Sequence, residues 1–305
     1  MTSRRDVVPK RLNKIQEMTT KEILKKVRKI EIKTKRLSDH IFGGEYHTSF
    51  KGRGMTFSEV RPYAFGDDVR NIDWNVTARY RTPFVKIFEE ERELIMLLAV
   101  DISQSEMFGT RNQLKREMIT EIVATLAFSA TQNNDKIGLV LYSDDIELFI
   151  PPQKGRSHVL RIIRELVDFQ PKKKKTNTSK ALKFIYNVLK KKAIVFLISD
   201  FMDDNYQDTL KIVGRKHDLT GIKVYDPVEK EMPNVGLVLT EDLETGRRKY
   251  IDTSSKHLRR NYVAYFLKMT DQFKKNFQQS GSGTIEVAVN ESYIKKMLLY
   301  FKARN

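Results

Sequence analysis

Leu94–Ser105, LIMLLAVDISQS, sets seven apolar residues directly before Asp101, with Ser103 and Ser105 following at alternate positions. A short apolar run bounded by polar residues reads as a strand buried on both faces. Asp101 then stands at the carboxyl end of that strand, where open α/β sheets place their ligands. One carboxylate and two hydroxyls on a turn form an oxygen-rich cluster suited to a hard divalent cation. The same residue types are ordinary turn and N-cap residues, so the reading depends on what the rest of the chain brings to this point.

Outward from this stretch the chain alternates. Strand-like runs recur at 136–142 (KIGLVLY), 193–199 (AIVFLIS), 221–226 (GIKVYD) and 284–289 (TIEVAV), and IELFI at 146–150 reads as a hairpin partner of the second. Between them lie helical periodicities, marked by Leu114, Met118, Ile122 and Leu126, by Leu160, Ile163 and Leu166, and by Leu182, Ile185 and Leu189. A long stripe at Leu258, Tyr262, Tyr265, Met269, Phe273 and Phe277 reads as core packing, and Ile294, Met297 and Phe301 mark a last short helix. Strands alternating with helices predict an α/β domain with a doubly wound, mostly parallel sheet over residues 94–305. An N-terminal helical segment (1–40) and an irregular Arg/Asp-rich element packed on the body (41–93) precede it.

Composition narrows the function classes. The 305 residues, 40% hydrophobic, can build a real core, and the absence of cysteine excludes disulfides and thiolate metal sites. The longest apolar run falls far short of the roughly 20 residues that span a bilayer, and the basic start MTSRRDVVPKRL lacks the apolar stretch of a secretory signal. A cytoplasmic protein is expected, with a peripheral place at the membrane as the other option. Of the net charge of +17, residues 1–36 carry thirteen Lys/Arg against four Asp/Glu. Residues 10–36 read as a basic helix that leaves a membrane-surface contact open. Lys172–Lys175 adds four more cations, without the interleaved aromatics of a stacking platform. No helix-turn-helix or zinc-finger pattern accompanies them, which argues against nucleic acid as the partner.

Residues 41–60 read as a Gly-rich ordered loop, and Gly52-Arg53-Gly54 lacks the spacing of a phosphate-binding loop. Residues 57–93 pack Arg61, Asp67, Asp68, Arg70, Asp73, Trp74, Arg79 and Arg81 into a short span with several aromatics. Such a mixture suggests a partly buried ion-pair network around an aromatic anchor, Trp74, because buried charges are costly unless paired.

Asp200 follows AIVFLIS, at the end of another buried strand, and Thr176 and Thr178 stand in the loop KKTNTSKAL before a helix. Right-handed crossovers put both loops on the same sheet edge as Asp101. Asp101, Ser103, Ser105, Thr176 or Thr178, and Asp200 then converge as oxygen donors, a set suited to Mg2+ or Mn2+ retaining waters.

This pattern, D-x-S-x-S, then Thr, then Asp, resembles the metal-ion-dependent adhesion site of von Willebrand factor A domains. Thr176 lies five residues before Ala181-Leu182, as the family's Thr does before its Ala-Leu pair, and is preferred over Thr178. The resemblance implies metal binding by Asp101, Ser103, Ser105, Thr176 and Asp200, with a partner's carboxylate completing the shell. Lys174-Lys175 stand where many A domains have Gly-Gly, and Glu106 where Met is usual. The upstream run RPYAFGDDVRNIDWNVTAR, then PFVKIFEEERE, together with ISDF and DPVEKEMPNVGLVLTEDLETG, resembles the bacterial domain of unknown function 58 family over roughly residues 40–305. That likeness implies a non-enzymatic adaptor or co-chaperone of a MoxR-type AAA+ ATPase, meeting the ATPase or its client through an acidic residue. Two competing readings are a metal-dependent phosphoesterase or nuclease using Asp67, Asp68 and Asp73 with Asp101 and Asp200, and a basic nucleic-acid or membrane-surface binder. Against the enzyme, the five histidines show no i,i+4 pair and no nucleophile–base spacing is visible.

Overall fold

The computed structural model describes residues 25, 28, 29, 31, 56–89, 94–107, 115–173, 175–241 and 248–304. The expected basic helix over 10–36, apart from Lys25, Arg28, Lys29 and Glu31, lies outside these residues. So do most of the 41–60 loop and Lys174.

The central sheet is built around the strand that ends in Asp101. Label the strands β1 (Thr56–Pro62), β2 (Phe84–Glu89), β3 (Ile95–Asp101), β4 (Lys136–Tyr142), β5 (Ile146–Gln153), β6 (Ile194–Ser199), β7 (Asp218–Tyr225), β8 (Leu237–Glu241), β9 (Arg248–Asp252) and β10 (Gly283–Ala288). Six of them form one sheet in the order β10-β7-β6-β3-β4-β5. All its neighbours are parallel except β5, which pairs antiparallel with β4. Pro151 and Pro152 lie in β5, at the sheet's edge, where a missing amide donor does least harm and discourages pairing with another chain. The doubly wound, mostly parallel α/β sheet expected from the alternation is therefore the observed one.

Helices cover both faces. They are α1 (Trp74–Tyr80), α2 (Lys115–Gln132), α3 (Arg156–Asp168), α4 (Thr178–Val188), α5 (Gln207–Lys216), α6 (Pro227–Lys230), α7 (Lys256–Gln279) and α8 (Tyr293–Arg304). Along β3, Met96, Leu98 and Val100 join the core formed with α2, α3 and α8, whereas Leu97 and Ala99 join the one formed with α4, α5 and α7. Successive residues of a strand point to opposite faces, so burial on both sides demands the unbroken apolar run seen in the sequence. Gly221 in β7 shows how closely α7 approaches: a Cβ there would lie 2.5 Å from the Phe277 ring and 2.9 Å from the Phe273 ring. No described helix is long and apolar enough to cross a membrane.

The Arg/Asp-rich stretch carries more regular structure than its sequence suggests. β1 and β2 pair antiparallel, and a short 3-10 turn (Val69–Asn71) and α1 lie between them. Its main contacts are β1 on β2 and the turn and α1 on β2. Trp74 does not anchor a core. It is 70% exposed, and Phe65, Val69 and Tyr80 are exposed as well. The physical reason is local: Asp73 caps α1 by accepting from the Asn75 and Val76 amides, which fixes the helix start without any burial of the ring beside it. Trp74→Ala should therefore change stability by less than about 0.5 kcal/mol, as for an exposed substitution, against the roughly 3–5 kcal/mol of a buried Trp. Chemical denaturation of the pair measures this, and a loss above about 2 kcal/mol would contradict the exposed placement.

Candidate functional site

The strand order reverses direction of growth between β3 and β6, and their carboxyl ends bring Asp101 and Asp200 side by side. This is the switch point at which doubly wound sheets bind ligands. Asp101 is fully buried; its Oδ1 accepts from the Ser103 amide at 2.8 Å and its Oδ2 from the Ser199 hydroxyl at 2.8 Å. The Ser103 and Ser105 hydroxyls are 3.1 Å apart. On the other strand, Asp200 Oδ1 accepts from the Met202 amide at 3.2 Å. The chain turns sharply here because Phe201 adopts a left-handed conformation, φ 49°, which is strained for a bulky residue. Its ring stacks on Phe273 at 4.4 Å and meets Phe277 edge-on at 5.4 Å, contacts that offset the strain.

A buried cation organises the acids. Lys115, wholly buried at the first turn described for α2, reaches Glu229 Oε1 at 2.8 Å, Asp200 Oδ2 at 3.2 Å and Glu106 Oε2 at 3.9 Å. Glu106 in turn accepts the Asp200 amide at 3.0 Å. Glu229 does two jobs: its other oxygen accepts the Asp226 amide at 2.8 Å, closing the capping box of α6. Burial alone would lower the Lys115 pKa, but Glu106, Asp200 and Glu229 outweigh it and raise it. Asp200, despite burial, is held below the usual carboxylate range by Lys115 and Lys223. Asp101 is pushed up to about 7, by burial first and by the Asp200 charge second. Burial also raises Glu106 and lifts Asp203 to about 6.

Beside this cluster opens a cavity of ≈ 210 Å³. Ser105, Thr176, Asp200, Asp203, Glu229 and Lys223 form its polar lining, and Met202, Tyr225, Tyr262, Tyr265 and Phe266 its apolar wall. Among the residues expected from the sequence, Ser105, Thr176 and Asp200 thus reach the cavity, while Asp101 and Ser103 lie buried behind it. Thr178 is committed elsewhere: its amide and hydroxyl donate to Asp203 at 2.8 and 3.0 Å. Lys175 is exposed and does not line the cavity, and Lys173 pairs with Asp145 at 3.4 Å and Asp144 at 3.7 Å.

The donor set fits a hard divalent cation. Asp101, Glu106 and Asp200 each offer a carboxylate oxygen, all within 4.8 Å of one another, and Ser105 and Thr176 line the cavity together with Asp200. Asp101, Glu106, Asp200, Asp203 and Glu229 set five carboxylates against the two ammonium groups of Lys115 and Lys223. Burial first and the Asp200 charge second raise Asp101, a cost that a divalent ion would relieve as protons otherwise must.

The hairpin residues do not join this cluster. Arg61 grips Asp67 with two bonds of 2.8 and 2.7 Å, Arg70 pairs with Asp68 at 3.1 Å, and Lys86 lies 3.5 Å from Asp73. The network expected at Arg61, Asp67, Asp68, Arg70 and Asp73 exists as separate local pairs, partly buried at Arg61–Asp67 and Lys86–Asp73 and exposed at Arg70–Asp68, and Arg79 makes no ion pair among the described residues. None of these residues lines the cavity.

The sequence reading passed over Lys115, Ser199, Asp203, Lys223 and Glu229, and assigned Tyr262 and Tyr265 to the core. Of that stripe Met269, Phe273 and Phe277 are buried, whereas Tyr262 and Tyr265 line the cavity, Tyr265 being 53% exposed. Glu229 alone carried a local signal, since D-P-x-E is a capping box with Pro at the first helical position.

An uncharacterized protein of Mycobacterium tuberculosis is 29% identical over 223 residues, 72% of this chain and 70% of its own length. Among solved structures, the conserved hypothetical protein BatB of Bacteroides thetaiotaomicron is 16% identical, covering 69% of this chain and 98% of its own, with a TM-score of 0.45. An aerotolerance-related membrane protein of Bacteroides fragilis is 15% identical over 69% of this chain and 99% of its own, with a TM-score of 0.46. The profile of the protein family of unknown function DUF58 matches residues 59–271. The chain belongs to the DUF58 family, and its sheet is the doubly wound, mostly parallel one that the alternation of strands and helices predicts.

Proposed function

We propose that this chain is a non-enzymatic protein-interaction module whose switch-point site takes Mg2+ or Mn2+ and, with it, an acidic side chain of a protein partner. The observation that carries the reading is the convergence of Asp101, Glu106 and Asp200, within 4.8 Å of one another, beside an open cavity. Ser105, Thr176 and Asp200 would hold the ion from the cavity side, and Asp101 and Ser103 from behind, directly or through water. The ion supplies Lewis-acid attraction for a carboxylate and nothing else is required of it. Asp67, Asp68 and Asp73 engage their own arginines and a helix cap, and none lines the cavity, which favours this reading over a phosphoesterase that uses them. The partner class most consistent with the family resemblance is a MoxR-type AAA+ ATPase or its client, for which the chain would serve as adaptor or co-chaperone.

Calorimetric titration of Mg2+ or Mn2+ should give binding heat with the wild type and none with Asp101→Ala. Capture of a purified MoxR-type ATPase should require the metal and fail for Asp200→Ala. Equal heats for wild type and Asp101→Ala would sink the metal assignment. Capture that survives chelation and both substitutions would sink the metal-mediated partner.

A further inference from the structure

The β8–β9 hairpin is a sheet of its own, and no other strand among the described residues pairs with either of its edges. A two-stranded ribbon is marginal in water by itself and normally gains its stability from further strands or a covering element. Leu237, Leu239 and Tyr250 are all exposed. They share one face, because Leu239 stands opposite Tyr250 and Leu237 lies two residues from Leu239. Arg248 and Asp252 flank Tyr250 at alternate positions of β9, so they belong to that face too, and both are exposed. Val238 and Ile251, on the opposite face, are half-buried.

The phase of the ladder decides which backbone groups of β9 point outward. The Thr253 amide donates to the Gly236 carbonyl at 2.9 Å, so Ile251 and Lys249, at alternate positions from Thr253, bond to β8. Arg248, Tyr250 and Asp252 then turn their amides and carbonyls to the open edge. The Asp252 carbonyl accepts the Ser255 amide at 3.4 Å and keeps a second lone pair. Pro151 and Pro152 blunt the β5 edge of the main sheet, whereas β9 holds no proline.

This open edge is complementary to itself. Laid antiparallel on a second copy with Tyr250 at the twofold axis, RKYID sets Arg248 opposite Asp252, Lys249 opposite Ile251 and Tyr250 opposite Tyr250. Both Arg–Asp pairs form at once and no like charges face each other. An axis at Lys249 would set two lysines opposite each other, and one at Ile251 would set Arg248 against Ser254. The Tyr250 register also lays an apolar row, Leu239-Tyr250-Tyr250-Leu239, across the exposed face. We propose that β9 is a homotypic docking edge that joins two copies of this chain into a twofold dimer through a four-stranded β8-β9-β9-β8 sheet. The edge is 5 residues long, so the dimer belongs to the weak end of specific association. It asks nothing of the cation site.

Sedimentation equilibrium over concentrations reaching the millimolar range tests this, with a thermal melt of each variant because Asp252 also holds the Ser254 amide. The wild type should dimerise reversibly, with or without a chelator. Arg248→Asp and Asp252→Arg should each weaken self-association about tenfold or more, since each sets like charges opposite one another. Mixed together, the two variants should associate within a few-fold of the wild type, because both ion pairs return. Tyr250→Pro removes an outward amide, leaves the β8 ladder its bonds and should abolish the dimer. A wild type that stays monomeric throughout overturns the proposal. So does a mixture that associates no better than either variant alone, or a dimer that survives Tyr250→Pro.

Discussion

Asp101→Asn should make the metal-free protein more stable, on the order of 3 kcal/mol at pH 8, although it removes the residue at the centre of the candidate site. In the folded chain burial and the Asp200 charge push Asp101 up to about 7, whereas in the unfolded chain it titrates near the ordinary value of roughly 4. Between those two values the native state holds a proton that the unfolded state has released. Stability contributed by this group therefore falls as pH rises from about 4 to about 7, and the whole penalty is present above 7. The asparagine keeps both contacts, accepting from the Ser103 amide and meeting the Ser199 hydroxyl, and never ionises. The gain of the variant should shrink toward zero as pH is lowered to about 4, and His217, common to both proteins, drops out of this difference. That imidazole is pulled down to about 4 by burial and by Lys216, and it destabilises both proteins alike as pH falls below its unfolded value of roughly 6.5. Mg2+ at about a thousand times its dissociation constant should reverse the ranking at pH 8 by stabilising only the wild type, by about 4 kcal/mol. Urea denaturation of both proteins at three pH values, with and without Mg2+, reads all of this. An asparagine variant that is less stable than wild type at pH 8 without metal would show that Asp101 is not buried against a like charge.

This balance explains which parts of the molecule its sequence made legible. β3, β4 and β6 are buried on both faces, so each had to be a nearly continuous apolar run, and Asp101 and Asp200 are the charges that end two of them. Pattern also found β5, because IELFI follows β4 after only a few polar residues. α5 was passed over because Leu210 and Val213 are its only buried residues, too thin a stripe to register as a period. The β8–β9 hairpin escaped because much of its apolar surface faces outward, Leu237, Leu239 and Tyr250 all being exposed. Trp74 misled for the opposite reason: a lone tryptophan among charges suggests burial, but helix capping by Asp73 and pairing of Arg61 with Asp67 satisfy the polar groups locally and leave the ring outside. Lys115 lies in a run, KRE, that reads as a solvated helix face. Only the meeting of Glu106, Asp200 and Glu229 from three separate segments makes it an interior cation, and no local pattern encodes that meeting. Lys223 is harder still, since GIKVY reads as a strand whose lysine should snorkel to solvent.

Lys115→Met should have the largest destabilising effect in the molecule, about 3–5 kcal/mol at neutral pH, because it leaves buried carboxylates without their principal counter-ion. Methionine fills most of the space and asks for no hydrogen bonds, so the loss is electrostatic rather than a cavity. The ammonium it removes holds Glu229 at 2.8 Å and Asp200 at 3.2 Å, with Glu106 at 3.9 Å. Without it, Asp101 and Asp200 repel with only Lys223 nearby, and the cheapest response is to take up protons. The penalty should accordingly be greatest at pH 8 and shrink toward pH 5, as the carboxylates neutralise. The same substitution should tighten Mg2+ binding at least tenfold, since Asp200 and Glu106 no longer divide their charge between an internal ammonium and the ion. Adding Glu106→Gln to Lys115→Met should recover part of the stability and give back part of the metal affinity, a coupling that a double-mutant cycle isolates. Loss of stability with unchanged or weaker Mg2+ binding would mean that Lys115 only supports the fold and that the ion, if bound, sits away from Asp200. The expected pairing of lower stability with tighter metal binding would identify Lys115 as a resident cation that keeps Asp101 and Asp200 together between binding events. Fold and affinity would then be set against each other at one ammonium group.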